Sequence, residues 1–417
     1  MLIYEVGGSV RNQYIKLFHN IDITTSDRDY VVVNSTVEEM LSLGFKQVGK
    51  DFPVFLHPQT GEEYALARKE VKTGYSHTDF SFDFNSNITL EDDLIRRDFT
   101  MNAIAEGKDE LTFDIYTFDF FKGIDDIKNK IIRHINTEHF QEDPLRVLRA
   151  CRFAAQLDFT IANETMDLLK DMVKRGAFYN LTKERIVLEF KKAFAPGCNT
   201  SKFIRYMLEC GALRVILSEI ELLNEIKGRF EFHQEGTVFE HTMMVLDEAR
   251  NMSTEVKIAC LFHDVGKGAL KEGEYGHDSE DIANYIINRL VELKFSNEWL
   301  NNIYIGIRYH MKLKYLNEMT PKKIHDILDK ITNHFQIESN LRNVLDLMLC
   351  DNQGRIADNK DADNDKQIYD KWLKLFYVCY NSPFSTIPNY MDIPVDKRKY
   401  EERINRINKI RNYLKSN

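Results

Sequence analysis

Within its first thirty residues the chain carries Val6-Gly7-Gly8-Ser9-Val10-Arg11 and then Asp27-Arg28-Asp29. Met1 to Val6 is a short apolar run suited to a strand, and the two glycines that follow permit backbone angles that other residues avoid. A turn with exposed N–H groups can cradle phosphate, and Arg11 adds a forked, permanently charged donor. Asp27 and Asp29 lead into a second strand, Tyr30 to Val33, and side chains two apart on a strand share a face. Two carboxylates on one face suit Mg²⁺, which takes one or two carboxylates together with substrate phosphates. Such a site activates an attacking oxygen and stabilises a leaving pyrophosphate. A Gly-Gly turn before an acidic strand edge is common without any chemistry. The combination points to an α/β head that transfers a nucleotide, with Asp27 and Asp29 as catalytic metal carboxylates.

The bulk properties bound this reading. A chain of 417 residues has room for about two to four domains. With 43% hydrophobic residues but no apolar run of about 18, it reads as globular, with no membrane span expected. The start MLIYEVGG is too short and too acidic for a signal peptide. Cys151, Cys198, Cys210, Cys260, Cys350 and Cys379 form no CxxC pair and fit a reducing cytoplasm. A net charge of −9 argues against coating nucleic acid through bulk charge, although a local basic face suffices for RNA.

Residues 1 to about 135 mix β-branched strands with glycine turns, whereas strand patterns are rare afterwards and amphipathic helices dominate. Asp143-Pro144 opens a helix that continues from Leu145 to Leu157, with Asp143 as its cap and Pro144 at its first position. Joints are expected at Ala195-Pro196-Gly197, near Gly228, and at the polar stretch Asp358 to Asp365. The expected division is an α/β head over 1–140, a helical neck and body over 141–227, a metal-binding helical domain over 228–355 and a helical tail over 356–417.

Two further motifs carry chemistry. In Arg96-Arg97-Asp98-Phe99-Thr100-Met101-Asn102, the arginine forks suit a triphosphate, and the carboxylate can accept from ribose hydroxyls. Taken alone, the stretch reads first as a surface salt-bridge cluster, which is common and weak. In Glu142-Asp143-Pro144-Leu145-Arg146-Val147-Leu148-Arg149-Ala150-Cys151-Arg152, the residues Asp143, Arg146, Arg149 and Arg152 recur every three positions, along one side of a helix. A carboxylate beside a guanidinium is an acceptor beside donors. The pairing edges of C and A offer an amino donor beside a ring-nitrogen acceptor, and those of G and U the reverse. An Asp–Arg pair therefore matches C and A, each bidentate contact being worth about 1–3 kcal/mol of discrimination. Without context, a helix face with internal ion pairs reads the same way.

A third constellation lies downstream: His241, His263-Asp264, His277, His310 and Asp351. Imidazoles and carboxylates on several helices can converge on a divalent cation, whose bound water becomes a nucleophile at neutral pH.

These residues resemble class II tRNA nucleotidyltransferases, the CCA-adding enzymes, of the bacterial type that carries an HD domain. The resemblance runs through Gly7 to Arg11, Asp27 to Asp29, Asp51 to Pro58, Glu63 to Arg68, Arg96 to Asp98, the D-x-x-x-G-x-x-D element Asp119, Gly123 and Asp126, Glu142 to Arg152, and Leu181 to Arg185. It implies a polymerase β-like head, with helical neck, body, HD domain and tail. It further implies Mg²⁺ on Asp27 and Asp29, and contacts from Gly8, Arg11, Arg97, Arg149 and Arg152 to CTP or ATP. Asp98 would meet the ribose, and Asp143 and Arg146 would form the protein template for base choice. Arg68 and the loop Lys69 to Asp79 would help switch from C to A, and the helical body and tail would hold the tRNA acceptor arm. The HD pattern implies a divalent transition metal, its identity left open, on His241, His263, Asp264 and Asp351, with His277 and His310 as further ligands or phosphate contacts. Its expected activity is 2′,3′-cyclic phosphodiesterase, 2′-nucleotidase or phosphatase, in repair of a damaged 3′ end. A poly(A) polymerase, or an HD metallohydrolase with a tRNA-binding head, are the alternative readings.

The chain departs from the family pattern in places. Asn12 stands where the family usually has Asp, the span from Arg11 to Asp27 is several residues longer than usual, and a further insertion lies around Ile115 to Phe118. Glu63 is a weak candidate for a third metal carboxylate.

Overall fold

The computed structural model describes residues 1–23, 28–48, 54–72, 80–83, 87–109, 112, 114–227, 236–269, 278–356, 361–381, 387–388 and 390–416. Two compact units emerge, one formed by residues 1–186 with 209–212 and the other by 187–208 with 213–417.

The first unit is built on a seven-stranded mixed sheet. Its strands are β1 (Leu2–Val6), β2 (Asp29–Val33), β3 (Lys46–Val48), β4 (Val54–Leu56), β5 (Glu63–Leu66), β6 (Ala105–Lys108) and β7 (Ile115–Phe118), in the order β3-β4-β5-β2-β1-β6-β7. The β-branched run of β2 explains its central place. Alternation sends Val31 to one face, with Val6, Leu94 and Ala105, and Val32 to the other, with Met40, Phe55 and Leu66. Between β1 and β2 runs α1 (Gly8–His19). β1 and β2 are antiparallel, so Val6 lies opposite Asp29 and the glycine turn sits at the acidic end of β2. The inserted segment around Ile115 to Phe118 forms the edge strand β7.

The D-x-x-x-G-x-x-D element is a structural joint. Asp119 accepts from the N–H groups of Gly123 (2.7 Å) and Ile124 (3.0 Å), starting the helix Gly123–Lys128. Asp126 accepts from the Thr100 hydroxyl at 2.7 Å. A Cβ on Gly123 would lie 2.2 Å from the Thr100 carbonyl oxygen. That contact is with backbone and cannot be relieved by a rotamer change. Gly123→Ala is therefore expected to destabilise the first unit by about 3 kcal/mol, the upper end of overpacking costs, as read from urea unfolding.

α2 (Leu145–Leu157) buries Val147, Leu148, Ala150, Cys151, Ala154 and Ala155. Its span matches the sequence expectation. Its N-cap, however, is Pro144, and Asp143 accepts from the Leu145 N–H at 3.1 Å.

In the second unit, α3 (Val238–Glu248), α4 (Thr254–Phe262), α5 (Asn297–Leu313) and α6 (Glu338–Gln353) pack on one another. Ser253 and Ser296 cap α4 and α5 through side-chain oxygens. A large core of Ile305, Leu313, Leu328, Leu345, Trp372, Phe376 and Ile410 joins α5 and α6 to the last helices, Ala362–Tyr380 and Val395–Ser416. The Ala195-Pro196-Gly197 break is pinned by the fully buried Lys257, which donates to the carbonyls of Ala195 (2.8 Å) and Cys198 (3.0 Å).

Candidate functional site

In the first unit, a cavity of about 530 Å³ is lined by Gly7, Gly8, Asp29, Asp98, Asn102, Asp143, Leu145, Phe153 and the arginines 11, 96, 97, 146, 149 and 185. Gly7 has φ +80°, and a Cβ there would stand 3.4 Å from Arg97 Nη1 and 3.5 Å from Asp29 Oδ2. The positive φ of the turn thus favours glycine here, while a Cβ would meet these two charged groups only at ordinary van der Waals distance. Asp29 lies at the start of β2 and faces the cavity. Asp27 lies outside the described residues, as does most of the Lys69 to Asp79 loop. Glu63 pairs in register with Asp29 across β5 but does not line the cavity.

One hydrogen-bond chain organises the floor. Arg149 Nε donates to Asp98 Oδ2 at 2.8 Å, Asn102 Nδ2 to Asp98 Oδ1 at 2.8 Å, and Arg11 Nη1 to Asn102 Oδ1 at 2.8 Å. Burial pulls the Arg11 guanidinium down to about 10, with Asp98 opposing and Arg152 and Arg149 adding to the shift. Burial alone would raise Asp98, but Arg149 and the Asn102 bond hold it at about 2. A carboxylate so depressed contributes stability above its unfolded pKa and loses it as pH falls toward the folded value. Arg149→Ala removes the main opposing charge. It is expected to move the acid-unfolding transition of this unit to higher pH and to cost on the order of 2 kcal/mol near neutrality.

The arginine ladder is only partly as expected. Arg146 and Arg149 line the cavity; Arg152 does not, and is turned to Gln156 and over the Phe153 ring, 4.0 Å from its centroid. A three-residue repeat drifts by about 60° per step in an α-helix, so Arg152 has rotated about 120° from Arg146. Asp143 and Arg146 share the cavity. Asp143 accepts from Arg185 Nη2 (2.9 Å), while Arg146 donates to the carbonyls of His139 (2.6 Å) and Arg96 (2.7 Å). Arg96 and Arg97 are both held by the fully buried Asp93, at 2.7 and 3.5 Å.

Arg96, Asn102, Phe153 and Arg185 were not singled out as site residues by sequence reasoning. Arg96 and Asn102 belong to the Arg96 to Asn102 motif. Arg185 ends the Leu181 to Arg185 segment, but nothing in its spacing announces a reach back to Asp143.

The second unit brings its candidate ligands together. His263 Nδ1 donates to the Cys260 carbonyl at 2.7 Å, and His310 Nδ1 to the Gly306 carbonyl at 2.7 Å. Each ring therefore turns its Nε2 inward. His263 Nε2 lies 3.4 Å from Asp264 Oδ2 and 3.7 Å from Asp351 Oδ1, and His310 Nε2 lies 3.9 Å from Asp264 Oδ1. His241 Nε2 lies 3.0 Å from Asp351 Oδ1. All five side chains are buried. Burial, then His263, pushes His310 down to about 3, so its imidazole is neutral. Burial would raise both carboxylates, but Lys267 and Lys314 lead the charges that hold Asp264 and Asp351 well below the usual range. Lone-pair nitrogens and carboxylates that converge in a buried space fit a divalent cation. His277 lies outside the described residues.

Residues 3–133 match the Poly A polymerase head domain family. The chain is 41% identical over 340 residues to the multifunctional CCA protein of Shewanella frigidimarina, covering 79% of this chain and 78% of that one. It is 39% identical over 366 residues to that of Aliivibrio salmonicida, covering 86% of each. Among solved structures, a CCA-adding enzyme in its apo form II aligns over 100% of this chain and 91% of its own, with TM-score 0.63 at 20% identity. A tRNA nucleotidyltransferase complexed with a primer tRNA and an incoming ATP analog aligns over 90% and 96%, with TM-score 0.55 at 20% identity. The head-and-helices fold is shared with these structures, no described helix is long and apolar enough to cross a membrane, and identity of this order across most of both chains means that this chain belongs to the multifunctional CCA protein family, as a nucleotidyltransferase.

Proposed function

We propose that this chain adds C, C and A to the tRNA 3′ end from CTP and ATP without a nucleic-acid template. The 3′ hydroxyl attacks the α-phosphate and pyrophosphate leaves. The observation that carries this reading is the arginine-lined cavity bounded by the Gly7-Gly8 turn and Asp29. Gly8, Arg11, Arg97 and Arg149 grip the triphosphate, with Arg152 behind them on the Phe153 ring. Asp98 meets the ribose while fixing Arg149. Asp143 accepts from the base amino group and Arg146 donates to the ring nitrogen, so that C and A are kept and G and U rejected; Arg185 holds the Asp143 carboxylate for this task. Mg²⁺, when bound to Asp27 and Asp29, supplies charge stabilisation at the reacting phosphate. The helical regions of the chain hold the tRNA acceptor arm, and the protein works in the cytoplasm.

The second centre serves as a phosphohydrolase on damaged 3′ ends, acting on 2′,3′-cyclic phosphate, 2′-nucleotide or phosphomonoester. Its ligands are His241, His263, Asp264 and Asp351, with His310 beside them and His277 as a further candidate. A divalent transition metal, when bound there, supplies an activated water. Cys260 and Gly306 fix the two histidine tautomers through their carbonyls.

Labelled CTP and ATP, offered with a tRNA that lacks its CCA, test the main reading: addition stops after C, C and A. The match to a poly(A) polymerase head favours a second reading, which CTP alone discriminates. Incorporation of C from CTP alone supports the CCA reading, and strict dependence on ATP with extended A tails overturns it.

A further inference from the structure

The two departures near the N-terminus, Asn12 and the longer span that follows it, meet in one hydrogen-bond cluster. Asn12 is buried, 5% exposed, on α1 next to Arg11. Its Oδ1 accepts from Arg11 Nε at 3.0 Å and from Arg11 Nη2 at 2.9 Å. Two guanidinium N–H groups on one atom require that atom to be the oxygen, which settles the orientation of the amide. The Nδ2 group therefore faces the other way, and donates to the Ile23 carbonyl at 3.3 Å. Ile23 lies in the longer segment that follows α1, four positions before Asp27 in the chain.

We infer that Asn12 is a positioning residue matched to this longer segment: its oxygen orients Arg11 for the triphosphate without neutralising it, and its NH₂ tethers the segment at Ile23. The inference rests on the nucleotidyltransferase reading of the cavity. An aspartate at position 12 does the first task differently and the second not at all. Its carboxylate would hold Arg11 as an ion pair, spending on the protein a charge that the nucleotide needs. It has no hydrogen to donate, so an anionic oxygen would face the Ile23 carbonyl. A buried carboxylate against a carbonyl is repulsive, and the segment must move away from it. Only an amide of this size accepts from the arginine and donates to the carbonyl at once. Arg11 then donates to two neutral acceptors, Asn12 and Asn102, and the carboxylate of Asp98 reaches it only through Asn102.

The test compares Asn12→Asp and Asn12→Ala with the full-length wild type. It reads CTP and ATP binding by calorimetry without tRNA, and then kcat and the separate KM values for CTP, ATP and tRNA. In Asn12→Asp, CTP and ATP binding are expected to weaken together by about fivefold, the effect of about 1 kcal/mol of lost charge attraction. The two nucleotides share the triphosphate, so both respond, while KM for tRNA is unchanged. In Asn12→Ala no charge is added, so nucleotide binding weakens less than in Asn12→Asp, whereas kcat falls in both because the tether is lost. A general folding defect would instead move all KM values and the melting temperature together. Wild-type nucleotide affinity in Asn12→Asp, or wild-type kcat in both variants, overturns the inference. Failure of the wild type to incorporate CTP into tRNA overturns the functional reading instead, and leaves the calorimetric comparison to decide what Asn12 does for Arg11.

Discussion

Asp29→Ala, and equally Asp27→Ala, is expected to cut incorporation of C into tRNA by at least about a thousandfold, the scale on which electrostatic transition-state stabilisation operates. Asp29 stands at the glycine turn, opposite Val6 and beside Arg97. Its removal leaves the arginine forks intact, so calorimetric binding of CTP without divalent metal should persist while turnover vanishes. That split separates loss of chemistry from loss of the cavity. The same variants should hydrolyse a 2′,3′-cyclic phosphate at the wild-type rate, since the histidine centre belongs to the other unit. Equal loss of both activities would instead mean a damaged fold, and a melting curve distinguishes the two.

His263→Ala should give the converse: wild-type CCA addition with phosphohydrolase activity lost. This centre crowds the inward Nε2 atoms of His263 and His310 against the carboxylate oxygens of Asp264 and Asp351, at 3.4–3.9 Å. A cation relieves that crowding only in the folded state, and a ligand at 100 times its dissociation constant stabilises by about 2.7 kcal/mol. Adding a divalent transition metal to the wild type should therefore raise the melting temperature of the helical unit by several degrees, about 2–4 °C per kcal/mol at this size. His263→Ala should show little of that rise. An identical rise in the variant would place the cation elsewhere.

Much of this was legible in the sequence where the signal is local. The β-branched runs and glycine turns placed the mixed sheet in the head, and the Leu145 to Leu157 helix emerged with those bounds. The histidine set reads from spacing because buried His-Asp combinations have few structural uses, and five of its six members converge. What could not be read are partners chosen by tertiary approach. Arg146 gives its fork to two backbone carbonyls, and Asp143 takes its guanidinium from Arg185, 42 residues away. Along the ladder from Asp143 to Arg152, the last residue leaves the cavity lining for a geometric reason: a period of three is not the period of the helix. Strand order is likewise invisible locally, since β1 meets β6 only after a hundred residues of intervening chain.

The arginine lining has one further consequence. Six guanidinium groups against three carboxylates make a cavity that responds to polyphosphate as such, whatever nucleoside it carries. Released pyrophosphate keeps most of the oxygens that those forks hold, so it should rebind well, compete with the next CTP and drive the transfer backwards as it accumulates. Forward flow through this enzyme would then depend on how fast its surroundings hydrolyse pyrophosphate. Its apparent stamina in a closed tube would be set by that clearance as much as by any residue in the cavity.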